Sequence, residues 1–214
     1  MLKSPLLKCV GIFFSFVGAE SAVLLLIYLN IKHFPQDAFD GSLIENSQLV
    51  LLGGTAAVLV FISARFRQLS GGMLLATGFL ATMFCRELDY LFDKMLYHGA
   101  WLPFAVAVAS TFVALAAYRR RTIVAGLSAI AEDPGVSVLA LAMSILLFFS
   151  RLAGMSSVWR YFAPGNRMAK HVAEEGLELF GYALLAMWSV RLLLWIHRRY
   201  PSSTDTTESQ HGRD

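Results

Sequence analysis

Apolar residues along this chain come in long blocks, not in alternation. Six runs stand out, at roughly 9–31, 46–64, 71–92, 101–118, 135–151 and 171–196. Each is long enough, or nearly so, to cross about 30 Å of hydrocarbon as a helix. A membrane β-barrel would need short strands of about 10 residues with alternating polarity. Uninterrupted runs instead predict helices, which satisfy their own backbone groups in lipid. The pattern predicts an all-α, polytopic integral membrane protein, a bundle of six transmembrane helices forming one domain over 1–200. Between the fourth and fifth runs, residues 122–134 are too short and mixed to span. Leu127, Ile130 and Ala131 are expected to lie along the inner interface, ending at Asp133-Pro134. The first run continues to about Asn30, too far for a signal-peptide core, and is read as a retained span. After Pro201 the chain has no apolar face, so 201–214 is expected to be a disordered cytoplasmic tail.

Composition sharpens this picture. The chain is 57% hydrophobic and 15% charged, against about 45–50% and about 25% in soluble domains. Its net charge of +3 could suit nucleic acid. The basic residues, however, sit at segment ends, where the positive-inside rule puts them, so membrane lipid and no nucleic acid is expected as partner. Lys3, Lys8, Arg65, Arg67, Arg119, Arg120, Arg121, Arg198 and Arg199 all fall on one side of a six-span topology. That side is read as cytoplasmic, with both termini inside and the protein in the cell inner membrane. The loop holding Arg151, Arg160, Arg167 and Lys170 violates the rule, which implies either that the fifth run is not a span or that acidic or phosphate partners lie there; the second is favoured because the acidic clusters fall on the same side. Cys9 and Cys85 form no CxxC pair and predict no disulfide.

The candidate chemistry lies in acidic residues inside apolar runs. Ionisable groups in a membrane span are costly, and are a functional-site hypothesis by default. Glu45, Asn46 and Gln48 begin the second run. Arg86, Glu87, Asp89, Tyr90 and Asp93 end the third. His98 and Trp101 begin the fourth, and Arg151 ends the fifth. His171, Glu174, Glu175 and Glu178 open the sixth. The topology collects all of these near the outer surface. At about 100° per residue, His171, Glu174, Glu175, Glu178 and Tyr182 share one helical face. Arg86, Asp89, Tyr90 and Asp93 share another. Glu178 is about 10 Å deeper than His171, and Glu20 is deeper still. The first, second, third and sixth spans are expected to line one cavity open to the outside.

Close carboxylates cannot all stay ionised in a low dielectric. Arg86, Arg151 or Lys170 would pair with them, some would stay protonated, or a divalent metal would bind. Histidine with carboxylates suits zinc, manganese or iron; a mainly carboxylate set suits calcium or magnesium. The candidate metal ligands are His171, Glu174, Glu175, Glu178 and Asp93. The sequence contains neither a His-Glu-x-x-His motif nor the paired Glu-x-x-His motifs of diiron bundles.

Several residues also have plain structural roles open to them. The acidic start of the sixth span favours the helix dipole. The Arg86–Asp93 group can form a salt-bridge network. Glu45-Asn46 can cap a helix. Glu20 can be protonated and bonded to a neighbouring helix. Trp101, Trp159 and Trp188 read as interfacial anchors, and Gly53-Gly54 and Gly71-Gly72 as close packing or turns.

Four functions follow. The first is a metal-dependent hydrolase or transferase acting on a lipid or lipid-linked substrate. There Glu87 and Asp89 are catalytic, Glu87 being the base, and Arg86, Arg151, Arg160 and Arg167 bind the anionic headgroup. The second is an ion- or proton-coupled transporter using Glu20, Glu178 and Asp89. The third is a cytochrome with His98 and His171 on haem. The fourth is a structural or accessory membrane protein.

Overall fold

A computed structural model describes residues 5–33, 43–163 and 165–200, apart from the side chains of 5, 6, 8 and 9. The anticipated tail at 201–214, Lys3, and the loop residues Asp37 and Asp40 lie outside the described residues. The described chain is all-α. In order it forms α1 (Pro5–His33), α2 (Leu43–Arg65), α3 (Ser70–Glu87), α4 (Asp89–Met95), α5 (Trp101–Tyr118), α6 (Ile123–Glu132), α7 (Val136–Ser144), α8 (Ser150–Gly154), α9 (Ser156–Phe162) and α10 (Arg167–Arg199). Short 3-10 turns, Arg67–Leu69 and Arg120–Thr122, precede α3 and α6, and a π-helical turn, Ile145–Phe149, joins α7 to α8.

Among the described residues, six helical stretches are long and apolar enough to cross a membrane: Val10–His33, Leu43–Arg65, Arg67–Glu87, Trp101–Tyr118, Val136–Gly154 and Arg167–Arg199. They match the six runs of the sequence and fit a multi-pass membrane protein. Large apolar side chains such as Phe13, Leu24, Val50, Val106 and Phe148 point outward, as helices facing hydrocarbon require. Two details depart from the hydropathy reading. The third run was expected to continue to 92 as one helix. Instead α3 ends at Glu87, Leu88 leaves helical geometry (φ −88, ψ 9), and α4 restarts at Asp89. The fifth run contains the π-turn, which adds residues to one turn and rotates whatever follows.

Contacts divide the chain into two compact units, Met1–Gln48 with Leu141–Leu184, and Leu49–Ala140 with Leu185–Asp214. In the second unit, α3 packs on α5 and α6 through small residues. A Cβ built on Gly72 would stand 2.5 Å from the Leu127 amide nitrogen and 2.6 Å from the Ile123 carbonyl oxygen. One on Gly126 would lie 2.8 Å from the Cα of Gly72. The α3 and α6 backbones therefore touch here, which only glycine permits. Gly78 does the same against Phe112 of α5, where a Cβ would meet the ring's own Cβ at 2.5 Å. Small residues at helix crossings maximise backbone contact where lipid supplies no hydrophobic drive.

Polar groups in this unit are confined and satisfied. The Ser63 and Ser70 hydroxyls, both buried, lie 2.9 Å apart. The Trp188 indole N–H donates to the Asp133 carboxylate at 3.1 Å. Trp188 is only 2% exposed, so it is a core residue and not the interfacial anchor expected from its place in the run. Asp133 ends α6 as anticipated, but its carboxylate turns inward to meet the indole.

Candidate functional site

In the first unit the glutamates of α10 are gathered by two partners. Arg151, on α8, donates to the Glu178 carboxylate and stands 3.9 Å from that of Glu174. The Gln48 side-chain amide, on the first turns of α2, donates to the Glu175 carboxylate at 2.9 Å and to the Glu175 carbonyl at 3.2 Å. The Glu178 side chain is 4% exposed and that of Glu174 is 19% exposed. Glu178 is thus sealed against its arginine, while Glu174 keeps access to solvent.

Local structure explains this aim. The π-turn immediately precedes Ser150 and Arg151, and the Ser150 hydroxyl donates to the Leu146 carbonyl at 2.8 Å, steadying the widened turn. Gly154 ends α8 beneath Glu174: a Cβ there would collide with the Glu174 carboxylate. Gly181 gives Leu146 its place against α10, since a Cβ would stand 2.6 Å from Leu146 Cγ. These positions leave no periodic signal in the sequence, and sequence reasoning passed over Gly154 and Gly181.

Gln48 is fully buried, and its Oε1 accepts no hydrogen bond among the described residues. A buried amide oxygen left in that state is uncommon and costs on the order of 1–3 kcal/mol. Asn30 of α1 is also fully buried, and its side-chain oxygen accepts from the Leu43 amide at 3.2 Å. That bond serves an orphan N–H at the start of α2. Glu45 sits in the first turn of α2, half-buried.

Next to this cluster in the chain, α9 and the start of α10 enclose a cavity of about 300 Å³ lined by Ser156, Trp159, Arg160, Asn166, Arg167 and Lys170. The Asn166 side chain accepts from the Ala169 amide at 2.9 Å, capping α10, and Gly165 supplies the left-handed turn before it (φ 82). Lys170 reaches the Ser156 hydroxyl at 3.4 Å. The loop that broke the positive-inside rule thus gathers three of its cations around one opening. Its fourth, Arg151, takes the acidic partners that the sequence anticipated.

His171 lies one turn before Glu174 on α10 and is half-buried. Glu20 lies exposed on α1, lining an apolar groove of about 380 Å³ with Val23, Ile27, Gly176 and Phe180.

The remaining candidates belong to the second unit. Arg86 and Glu87 pair at 3.3 Å at the end of α3, with Glu87 buried. The break at Leu88 leaves Arg86 on α3 and puts Asp89, Tyr90 and Asp93 on α4. Asp89 instead accepts from the Tyr90 amide at 2.6 Å at the start of α4. Asp93 takes His98 Nδ1 at 2.6 Å and the Gly99 amide at 2.9 Å. The Gly99 N–H first, and then His98, hold the Asp93 carboxyl below the usual aspartate range. Gly99 itself has φ 82, so the tight turn delivering that N–H depends on glycine.

Among the described residues, no group of three or more His, Cys, Asp or Glu side chains is gathered closely enough to hold a metal ion. Of the three ways to neutralise the α10 carboxylates, the geometry displays pairing with Arg151. No family model matches the chain, and no curated protein or solved structure shows significant similarity to it.

Proposed function

We propose that the chain is a multi-pass protein of the cell inner membrane, both termini cytoplasmic, that acts on a lipid or lipid-linked substrate with an anionic headgroup at the outer surface. The observation that carries this reading is the opening formed by Arg160, Arg167 and Lys170. Three cations around one cavity suit an anion, and guanidinium forks suit phosphate or carboxylate oxygens in particular. The Trp159 side chain provides an apolar wall beside them, fitting an amphiphile.

Hydrolysis or group transfer is the chemistry this cluster best supports. Glu174 is the reactive carboxylate in this reading, because it is partly open while Glu178 is sealed. The metal-dependent form of the reading would need His171, Glu174 and Glu178 to draw closer together than they stand and to give up the Arg151 contact; a divalent ion held there would supply activated water.

Lipid co-purifying with the protein, identified by mass spectrometry, tests the headgroup assignment. Wild type should retain an anionic amphiphile that Arg160→Ala/Arg167→Ala loses by at least about tenfold, as the loss of two charge-assisted contacts implies. Equal retention by both proteins would sink the reading. Glu174→Gln should keep the bound lipid and abolish its turnover. Elemental analysis of wild type beside His171→Ala decides the metal form: equal stoichiometry removes it.

One observation favours a second reading. Arg151 satisfies two carboxylates at once, as a purely structural lock between helices would. An accessory protein of that kind predicts that Glu174→Gln lowers the melting temperature and alters no turnover.

A further inference from the structure

A second basic opening lies in the other unit, and none of the chemistry above uses it. The 3-10 turns before α3 and α6 and the end of α5 enclose a cavity of about 540 Å³ lined by Arg67, Tyr118, Arg119, Arg120, Arg121 and Thr122. The chain holds no acidic residue from 49 to 86 or from 94 to 131. Correspondingly, among the described residues, none of these four arginines has an acidic partner. Among the described residues, the four guanidiniums surround one space without a carboxylate to neutralise them.

The platform beneath them is tightly built. Arg119 donates to the Ser70 hydroxyl. The Gly71 amide donates to the Thr122 hydroxyl at 2.8 Å, and that hydroxyl donates to the Arg119 carbonyl at 2.9 Å. A Cβ on Gly71 would stand 2.7 Å from the Arg119 carbonyl oxygen, so the two turns close only with glycine there. A mere topology signal needs positive charge near a span end and no such clasp. Here the two turns that carry the arginines are clasped backbone to backbone, and Arg119 is bonded to Ser70.

Apolar surface flanks the opening on two elements. Tyr118 is 89% exposed and Val124 75% exposed, and Leu115 and Leu127 also face outward. A ligand seated among the arginines therefore meets apolar surface alongside, at the end of a helix that is long and apolar enough to span. We propose that this cavity is a binding site for the phosphate headgroup of an anionic glycerophospholipid, with its acyl chains along α5 and α6. Basic pockets at the cytoplasmic ends of membrane helices hold such headgroups by charge and by the bidentate geometry of arginine.

The experiment uses full-length protein in nanodiscs of phosphatidylcholine doped with phosphatidylglycerol, with bound lipid counted by native mass spectrometry. Wild type should retain phosphatidylglycerol over phosphatidylcholine. Arg120→Lys/Arg121→Lys keeps the charge, and so the membrane orientation, but loses the forked donors; retention should fall at least about threefold. Arg198→Ala, a basic residue outside the cavity, should change nothing. Equal retention by the lysine variant, or equal loss in Arg198→Ala, would make the effect a diffuse surface attraction and overturn the site. Displacement of the lipid by millimolar inorganic pyrophosphate would assign the cavity to a soluble phosphate ligand and overturn the lipid. If the double variant fails to fold, Arg67→Lys alone carries the same comparison.

Discussion

The two units join their helices by opposite means. In the unit built on 49–140 and 185–214, α3 meets α5 and α6 through glycine, backbone against backbone, with charge kept to the helix ends. In the unit built on 1–48 and 141–184, the contacts of α10 with α2 and α8 include ionised and amide side chains: Gln48 on Glu175, Arg151 on Glu174 and Glu178. Close packing is geometrically strict but electrically neutral. Polar contacts between apolar helices are forgiving in shape, yet each partner must be present. The first arrangement builds a rigid platform, while the second places ionisable groups where a membrane would otherwise exclude them.

The largest effect should come from filling the α3–α6 contact. Gly72→Ala puts a Cβ against backbone that cannot swing away, and should cost about 3 kcal/mol or more. Thermal unfolding in detergent measures it, and a change under about 1 kcal/mol would mean the helices part easily. Next is Arg151→Ala, which leaves Glu178 buried without its cation. Breaking a fully buried pair costs about 3–5 kcal/mol. The Arg151 side chain is 43% exposed, so about 2 kcal/mol is expected after solvent screening. Arg151→Ala/Glu178→Gln should recover part of the loss, because the stranded charge goes with its partner; no recovery would separate the two residues energetically.

Trp188→Phe should cost about 1–2 kcal/mol by leaving the buried Asp133 carboxylate without its indole donor. Asp133→Asn in that background should then add little. The smallest effect concerns Asp93, which sits outside the six spans. Its folded carboxyl lies below the ordinary aspartate value, so the unfolded chain binds its proton first as pH falls. The stabilisation by Gly99 and His98 is therefore complete above the ordinary value of about 3.9. It fades as pH drops through the lower folded one. The melting-temperature difference between wild type and Asp93→Asn should be constant near neutrality and shrink on acidification. A difference that grows instead would reverse the assigned shift.

The long elements were legible because hydrophobic length is a property of a segment alone. All six helical stretches fall where the apolar runs do, and α6 lies where a short interfacial helix was expected. The acidic start of α10 was legible for the same reason, since charge inside an apolar run stands out without a partner. What the runs could not carry was a change of register. The break at Leu88 and the π-turn at Ile145–Phe149 lie within apolar stretches and leave composition unchanged. Yet the first puts Asp89 and Asp93 on a different helix from Arg86, and the second precedes Arg151. Trp188 was misplaced because a tryptophan in an apolar span looks alike whether it faces lipid or a buried carboxylate.

Sequence by itself therefore determined that the chain is helical, that six helices are long and apolar enough to span, and which segments bear costly charge. These are sums over neighbouring residues. Tertiary structure alone decided which charge meets which. Glu174 and Glu178 chose Arg151, Glu175 chose Gln48, and Asp93 chose His98 and Gly99. A charge announces its need for a partner through its desolvation cost, but a partner more than a hundred residues away, as Gln48 is from Glu175, is fixed only when helices pack.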